Sequence, residues 1–276
     1  MNLLTFRQPD HYLLTDACTT GIGGFSVTSG RAWRWHIPEE LQRLRHINFL
    51  EFLACIIGIV VEIFEGRTKP GDCHLTLGDN TSAMGWLRRS NFSSKDQENL
   101  AALARQFAEI IMLLEQCLFS QWFPGDENNA ADLCSRNTIV SKMSDTQLTK
   151  HIISLHPEQV PETFEISPLP REIEQFILHW VQHGTPQPEF NKLLMEKQTA
   201  TGHGGGTTST PLGSMTTTTS TGGQQTNRNK SSACSDKQQG SVRTPKQQEI
   251  EWRYLKELAV PPSEQWQRPL PIPGEK

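Results

Sequence analysis

The chain lacks several signals that would place it in a class at once. It has no CxxC pair and no cysteine–histidine spacing of the zinc-binding kind. Its six cysteines (Cys18, Cys55, Cys73, Cys117, Cys134 and Cys234) stand apart, most of them inside apolar stretches. This excludes a zinc ribbon and points to buried free thiols in a reducing, intracellular compartment. The start, "MNLLTFRQPD", has neither a basic segment nor a long apolar run, so no secretory signal is expected. The longest apolar run, "FLACIIGIVVEIF", is too short to span a bilayer and carries charge at its ends. A buried core helix, and no membrane partner, is the expectation. Excess positive charge is missing too. Net charge is −4, and residues 1–140 carry 12 Lys and Arg against 16 Asp and Glu. Bulk electrostatics therefore do not announce a nucleic-acid binder, and local basic clusters would have to carry such a role.

What is present is distributed unevenly. Residues 1–140 are rich in apolar runs, whereas 196–247 are mostly Gly, Thr, Ser, Gln, Asn and Lys, with "TTSTPLGSMTTTTSTGG" among them. Such a stretch cannot bury enough apolar surface to offset its ordering entropy and is expected to be disordered. The expected organisation is a compact region at 8–140, a helical connector at 141–195, a low-complexity linker at 196–247, and a short helix with a proline-rich tail at 248–276. In the connector, "DTQLTKHIISL" and "REIEQFILHWVQHG" read as short helices with too little apolar content for a core of their own.

Within the compact region, "HYLLTDA", "GIGGFSV" and "RAWRWHI" read as three strands whose short links make an antiparallel meander. "INFLEFLACIIGIVVEIFEG" is a long apolar helix ending near Gly66, and "CHLTLGD" is a fourth strand. "TSAMGWLRRSN" follows as a short helix with Thr81 or Ser82 near its cap. "KDQENLAALARQFAEIIMLLEQC" is amphipathic, with a stripe of Leu100, Leu103, Phe107, Ile110, Ile111 and Leu114. "LFSQWF" is a fifth strand, and "GDENNAADLCSR" is a turn and a short helix. The order β-β-β-α-β-α-α-β-α predicts an α/β fold: a mixed five-stranded sheet, part antiparallel meander and part parallel, flanked by helices.

Four carboxylates then draw attention. Asp16 and Asp79 each end the apolar face of a strand, Glu51 lies in the first turn of the long helix, and Asp132 lies in the last helix of the compact region. A right-handed crossover would make the first and fourth strands neighbours and bring Asp16 beside Asp79. Each acid alone has an ordinary explanation. Asp16 suits a turn, and Asp79 can cap the helix after it. Glu51 stands three residues after a possible Asn48 N-cap, as in a capping box. Asp132 suits the first turn of a helix. All four on these elements in this order are harder to explain separately, because Glu51 is set among Phe49, Leu50, Phe52 and Leu53 and needs a partner there.

The stretches "LLTDACTTGIGGF", "INFLEFLA", "LTLGDNTSAMGWL" and "QWFPGDENNAADLCSR" resemble the four acidic motifs of ribonuclease H. They are most similar to the RNase H domain of retroelement polyproteins, in particular DIRS-like elements that carry a tyrosine recombinase. The resemblance covers roughly residues 8–140. It implies that Asp16, Glu51, Asp79 and Asp132 bind two Mg²⁺ or Mn²⁺ ions. Asp16 would bridge both, Asp132 would join it on the ion that activates water, and Glu51 with Asp79 would hold the ion at the leaving 3′ oxygen. Hard divalent cations favour oxygen ligands, and two of them can clamp the attacking and leaving oxygens of an in-line displacement. Where many RNase H enzymes have a histidine before the last acid, this chain has "FPGDENNAAD" with none. That departure is expected to affect turnover more than fold.

The resemblance implies an RNA–DNA hybrid as substrate and the reverse transcriptase of the same element as partner. A hybrid is gripped by its backbone and recognised through 2′-hydroxyls. Backbone groups around Gly21 and Gly23, the side chains of Asn48 and Asn80, and the pairs Arg88–Arg89 and Arg43–Arg45 are the expected contacts. Arginine pairs also occur as solvated helix ends, and Trp86 and Trp122, which could stack on the substrate, also suit a core. The chain begins almost at the first strand, so a fragment, a decayed copy or a processed piece of a polyprotein is expected. Besides hybrid-dependent endonuclease action, an inactive RNase H-like domain that binds nucleic acid or tethers a partner is the alternative. A transposase or integrase of the same broad fold lacks a counterpart to Glu51.

Overall fold

A computed structural model describes residues 8–89, 97–136 and 142–201. The expected linker beyond Thr201 and the expected tail helix lie outside them. The segment His11–Cys18 (β1) is buried along both faces as far as Ala17. A strand with no solvent-facing side belongs in the middle of a sheet covered twice. On one side β1 pairs antiparallel with β2 (Gly21–Ser26), which pairs antiparallel with β3 (Arg31–His36). On the other side it runs parallel to β4 (Cys73–Gly78), which runs parallel to β5 (Cys117–Trp122).

The sheet has six strands in the order β5-β4-β1-β2-β3-β6, where five were expected. The sixth, β6, is the dipeptide Glu165–Ile166, paired parallel to β3 at Arg31 and Ala32. Two residues carry no alternation, so no periodicity announces this strand. The Arg31 guanidinium stabilises the addition: it donates to the carbonyls of Ser167 (2.7 Å) and Pro168 (2.8 Å) and pairs with Glu65.

Helices fill both faces. Against one face lie α1 (Ile47–Phe64), α2 (Thr81–Arg89), α3 (Gln97–Leu113), α6 (Arg171–Gln182) and α7 (Pro188–Thr201), around a core that includes Leu13, Ile22, Trp33, Phe52, Ile56 and Trp180. The other face carries α4 (Asn129–Ser135) and α5 (Asp145–Leu155) over Tyr12, Leu14, Leu75 and Leu77. Alternation along β1 therefore feeds two cores, not one core and solvent. The helices expected at 145–155 and 171–184 form, and they pack into these cores instead of building a separate one. Phe176 stacks on Phe190 at 4.1 Å, and Trp180 lies near Phe49. Helix α7 continues through Glu196–Thr201, within the stretch expected to be disordered. Glu, Lys and Gln at 196–198 favour helix, and Lys197 lies over the Phe64 ring.

The apolar run expected to be too short to span a bilayer belongs to a longer helix: among the described residues α1 alone, 18 residues, is long and apolar enough to cross a membrane, and 89% of it is buried inside the fold. The described cysteines are unbonded; Cys55, Cys73 and Cys134 are buried, but Cys117 is exposed, because β5 is the outer strand. Burial pushes the Cys55 and Cys134 thiols up to about 12, so neither is a nucleophile at neutral pH. At the start of the parallel strands, His11 Nε2 meets Asp72 at 3.0 Å, His74 Nε2 meets Gln116 at 2.9 Å, and the two rings stack. These buried bonds tie β1, β4 and the entry to β5 in one register, which sets where their far ends arrive.

Candidate metal centre

The far ends of β1 and β4 deliver the first two acids. The ladder pairs Tyr12 with Leu75 and Leu14 with Leu77. Two residues further, the same parity brings Asp16 and Asp79 side by side. Glu51 reaches them from the second turn of α1, not the first as expected, because the helix already begins at Ile47. Oxygens of Asp16, Glu51 and Asp79 all lie within 4.8 Å of one another. Asp16 and Glu51 are 5% and 6% exposed, whereas Asp79 is half-buried.

Glu51 does not close a capping box. Helix α1 begins one residue before Asn48, and its N-cap is His46, whose Nδ1 accepts from the Asn48 N–H at 3.2 Å. The backbone of Ala17 on β1 instead offsets part of the cost of ionising the Glu51 carboxyl. Burial, then the charges of Asp16 and Asp79, push the Glu51 carboxyl up to about 9. Burial raises Asp16 to about 7, against a hydrogen bond from Ser135 and with the charges of Asp132 and Asp79. Asp79 is raised by burial and by Asp132. Like charges held together in a low-dielectric site disfavour ionisation, and a divalent cation reverses that preference. The donor set is all oxygen and fits Mg²⁺ or Mn²⁺.

Asp132 stands outside the triad. Its charge acts on both Asp16 and Asp79, yet both of its carboxylate oxygens are taken by Arg136, through Nε and Nη2. Ser135, one residue before that arginine and fully buried, donates to the Asp16 carboxylate and lies 3.0 Å from the Asp132 carbonyl. Asn128, buried at the start of α4, donates to the Thr15 carbonyl at 3.1 Å. Ser135 and Arg136 end the last acidic motif but carry no role that sequence reasoning assigns, and Asn128 is likewise unassigned. The spacing of Asp132 and Arg136, four apart on a helix, was a readable signal; the other two contacts cross from α4 to β1 and had none.

Gly21 and Gly23 lie within β2, paired on both edges, not in an open turn. A β-carbon at Gly21 would sit 2.4 Å from the Ser135 carbonyl oxygen, and one at Gly23 2.6 Å from the Cys134 carbonyl carbon. Their role is to let α4 press onto the sheet, and both are buried, with no backbone face open to a substrate. Gly23→Ala is expected to cost about 2 kcal/mol, because the obstacle is backbone. Urea denaturation measures that loss, which should come with weaker divalent-ion binding as α4 and Ser135 shift.

Asn80, not Thr81 or Ser82, caps α2: its Oδ1 accepts from the Ala83 N–H at 3.0 Å. Its Nδ2 donates to Asn48 Oδ1 at 3.1 Å, which joins the starts of α1 and α2 beside Glu51 and Asp79. Arg88 is exposed at the end of α2; the Arg89 side chain lies outside the described residues. Arg45 is engaged inside the protein: its Nε donates to the Val181 carbonyl at 2.9 Å and its guanidinium covers Phe49, while Arg43 is exposed. Trp86 is core at 8% exposure, packed edge-on to Phe52. Trp122 is 46% exposed and donates from its indole N–H to the Asp79 carbonyl at 2.9 Å. No protein-family model matches the chain, and no curated protein matches it.

Proposed function

We propose that this chain is a metal-dependent endonuclease of the RNase H type, which hydrolyses the RNA strand of RNA–DNA hybrids with two Mg²⁺ or Mn²⁺ ions. One observation carries the reading: Asp16, Glu51 and Asp79 come from three separate elements and converge within 4.8 Å at the end of a parallel strand pair. Three buried or half-buried acids with raised affinity for protons cost stability unless a cation meets them. Bound there, divalent ions supply Lewis acidity at the attacking water and the leaving 3′ oxygen. The chain's own residues hold the ligands: the Ser135 hydroxyl fixes the orientation of Asp16. Asn48 and Asn80, half-buried beside the acids, are amides suited to a 2′-hydroxyl in a shallow minor groove. Exposed Arg88 and Arg43 suit phosphates. In this proposal the chain is the RNase H part of a DIRS-like retroelement, acts beside the element's reverse transcriptase, and works inside the cell.

The test is cleavage of a labelled RNA–DNA hybrid with Mg²⁺ or Mn²⁺, beside single-stranded RNA and duplex DNA. Cleavage confined to the hybrid and abolished by chelation supports the proposal. A chain that binds divalent ions and hybrid but never cuts would favour the second reading, an inactive nucleic-acid-binding or tethering domain of a decayed element. The engagement of Asp132 by Arg136 and the missing loop histidine lean that way.

A further inference from the structure

We propose that Arg136 is a positioning residue of this metal centre: it holds the Asp132 carboxylate as a built-in counter-ion, so that the fourth acid joins the other three only when a second divalent ion displaces the guanidinium. The inference rests on the metal-dependent reading above and adds an order to it, a first ion held by Asp16, Glu51 and Asp79 and a weaker second ion that competes with an arginine.

Three observations carry it. The guanidinium grips both oxygens of Asp132, through Nε and Nη2, and so leaves neither free to a metal. Planar two-point contact is what arginine does and lysine does not. The backbone that carries Asp132 is already in place: α4 is pressed against Gly21 and Gly23, and Ser135 is bonded to Asp16. In this proposal Asp132 moves to the triad by its side chain while α4 stays pressed to the sheet. Finally, the pair is accessible, with Arg136 53% and Asp132 29% exposed by side chain. A solvent-exposed ion pair is weak enough for a doubly charged cation to displace.

Calorimetric titration of the chain with Mn²⁺ and with Mg²⁺, without nucleic acid, tests this apart from activity. The wild type should bind one ion tightly and a second more weakly, and Asp132→Asn should lose the second alone. Arg136→Lys keeps the charge and loses the fork, and should tighten the second ion about threefold while leaving the first unchanged. Arg136→Gln should tighten it further, about fivefold. A second ion that binds no tighter, or more weakly, in both Arg136 variants overturns the proposal, since Arg136 would then be orienting Asp132 for the metal. A wild type that binds no divalent ion, or an Asp16→Asn variant that binds as well as the wild type, instead overturns the metal-dependent reading itself. Arg136 lies at the exposed end of α4, and thermal melting of each variant verifies that it is folded.

Discussion

Asp16→Asn is expected to lower divalent-ion-dependent hybrid cleavage by about a thousandfold while leaving the protein folded. Asp16 is the meeting point of the centre: it lies beside Asp79, shares the cluster with Glu51 and receives the Ser135 hydrogen bond. Asparagine keeps the shape and one acceptor oxygen but removes the negative charge, so the Lewis-acid contribution of the bound ions falls by several kcal/mol. About 4 kcal/mol is a thousandfold in rate. The metal-free variant should be no less stable than the wild type, because burial and neighbouring acids already disfavour the ionised Asp16. A cleavage time course with calorimetric metal titration checks both halves. An Asp16→Asn variant that cuts hybrid at the wild-type rate would place the chemistry elsewhere.

The metal-free protein should lose stability as pH rises, and Glu51→Gln should remove most of that loss. The sign follows from the direction of the shift. A carboxyl raised in the folded state to about 9 from an ordinary 4.5 binds its proton more tightly folded than unfolded. Its contribution is fully present below about pH 4.5 and is lost as pH rises through about 9. Asp16 adds a loss in the same direction up to about pH 7. Glutamine mimics the protonated acid at every pH. The stability gap between Glu51→Gln and wild type should therefore widen from pH 5 to pH 9 and reach a few kcal/mol, about 2–4, near neutrality and above. Urea denaturation at several pH values in chelator measures the gap. Saturating Mg²⁺ should close it by stabilising the wild type alone, since only a folded centre with Glu51 intact gains from the ion. A gap that stays constant with pH would mean that Glu51 is not held among like charges.

The exposed Trp122 offers a probe for the same centre. Its indole is bonded to the Asp79 carbonyl, so ion binding at Asp79 should change its fluorescence, and Trp122→Phe should remove that change without unfolding the strand end.

Most elements were legible because each had a strong local pattern. Leu100, Leu103, Phe107 and Ile110 on α3 recur at helical spacing, and Tyr12, Leu14 and Asp16 on β1 alternate. The parallel neighbours β1 and β4 followed from a right-handed crossover through α1, and with them the approach of Asp16 to Asp79. Even Glu51 was marked, as a carboxylate set among phenylalanines and leucines. By itself, then, the sequence determined an α/β sheet and directed four acids to one end of it, of which Asp16, Glu51 and Asp79 meet, because periodicity and burial act over a few residues and are written in consecutive letters.

Tertiary structure decided the remainder. The two-residue β6 exists only because β3 offers an edge and Arg31 holds the returning chain. Gly21 and Gly23 are glycines because of α4, which lies more than a hundred residues away in the chain. His46 displaced Asn48 as the cap of α1, and Asn80 displaced Thr81 and Ser82 at α2. Most consequential is the placement of Asp132 in the grip of Arg136 while Ser135 turns to Asp16. On one short helix and its C-cap, Asp132 and Arg136 face each other while the Ser135 between them bonds to Asp16. Which oxygen meets which cation depends on distances of a few ångströms between elements far apart in sequence, and those distances are set by packing.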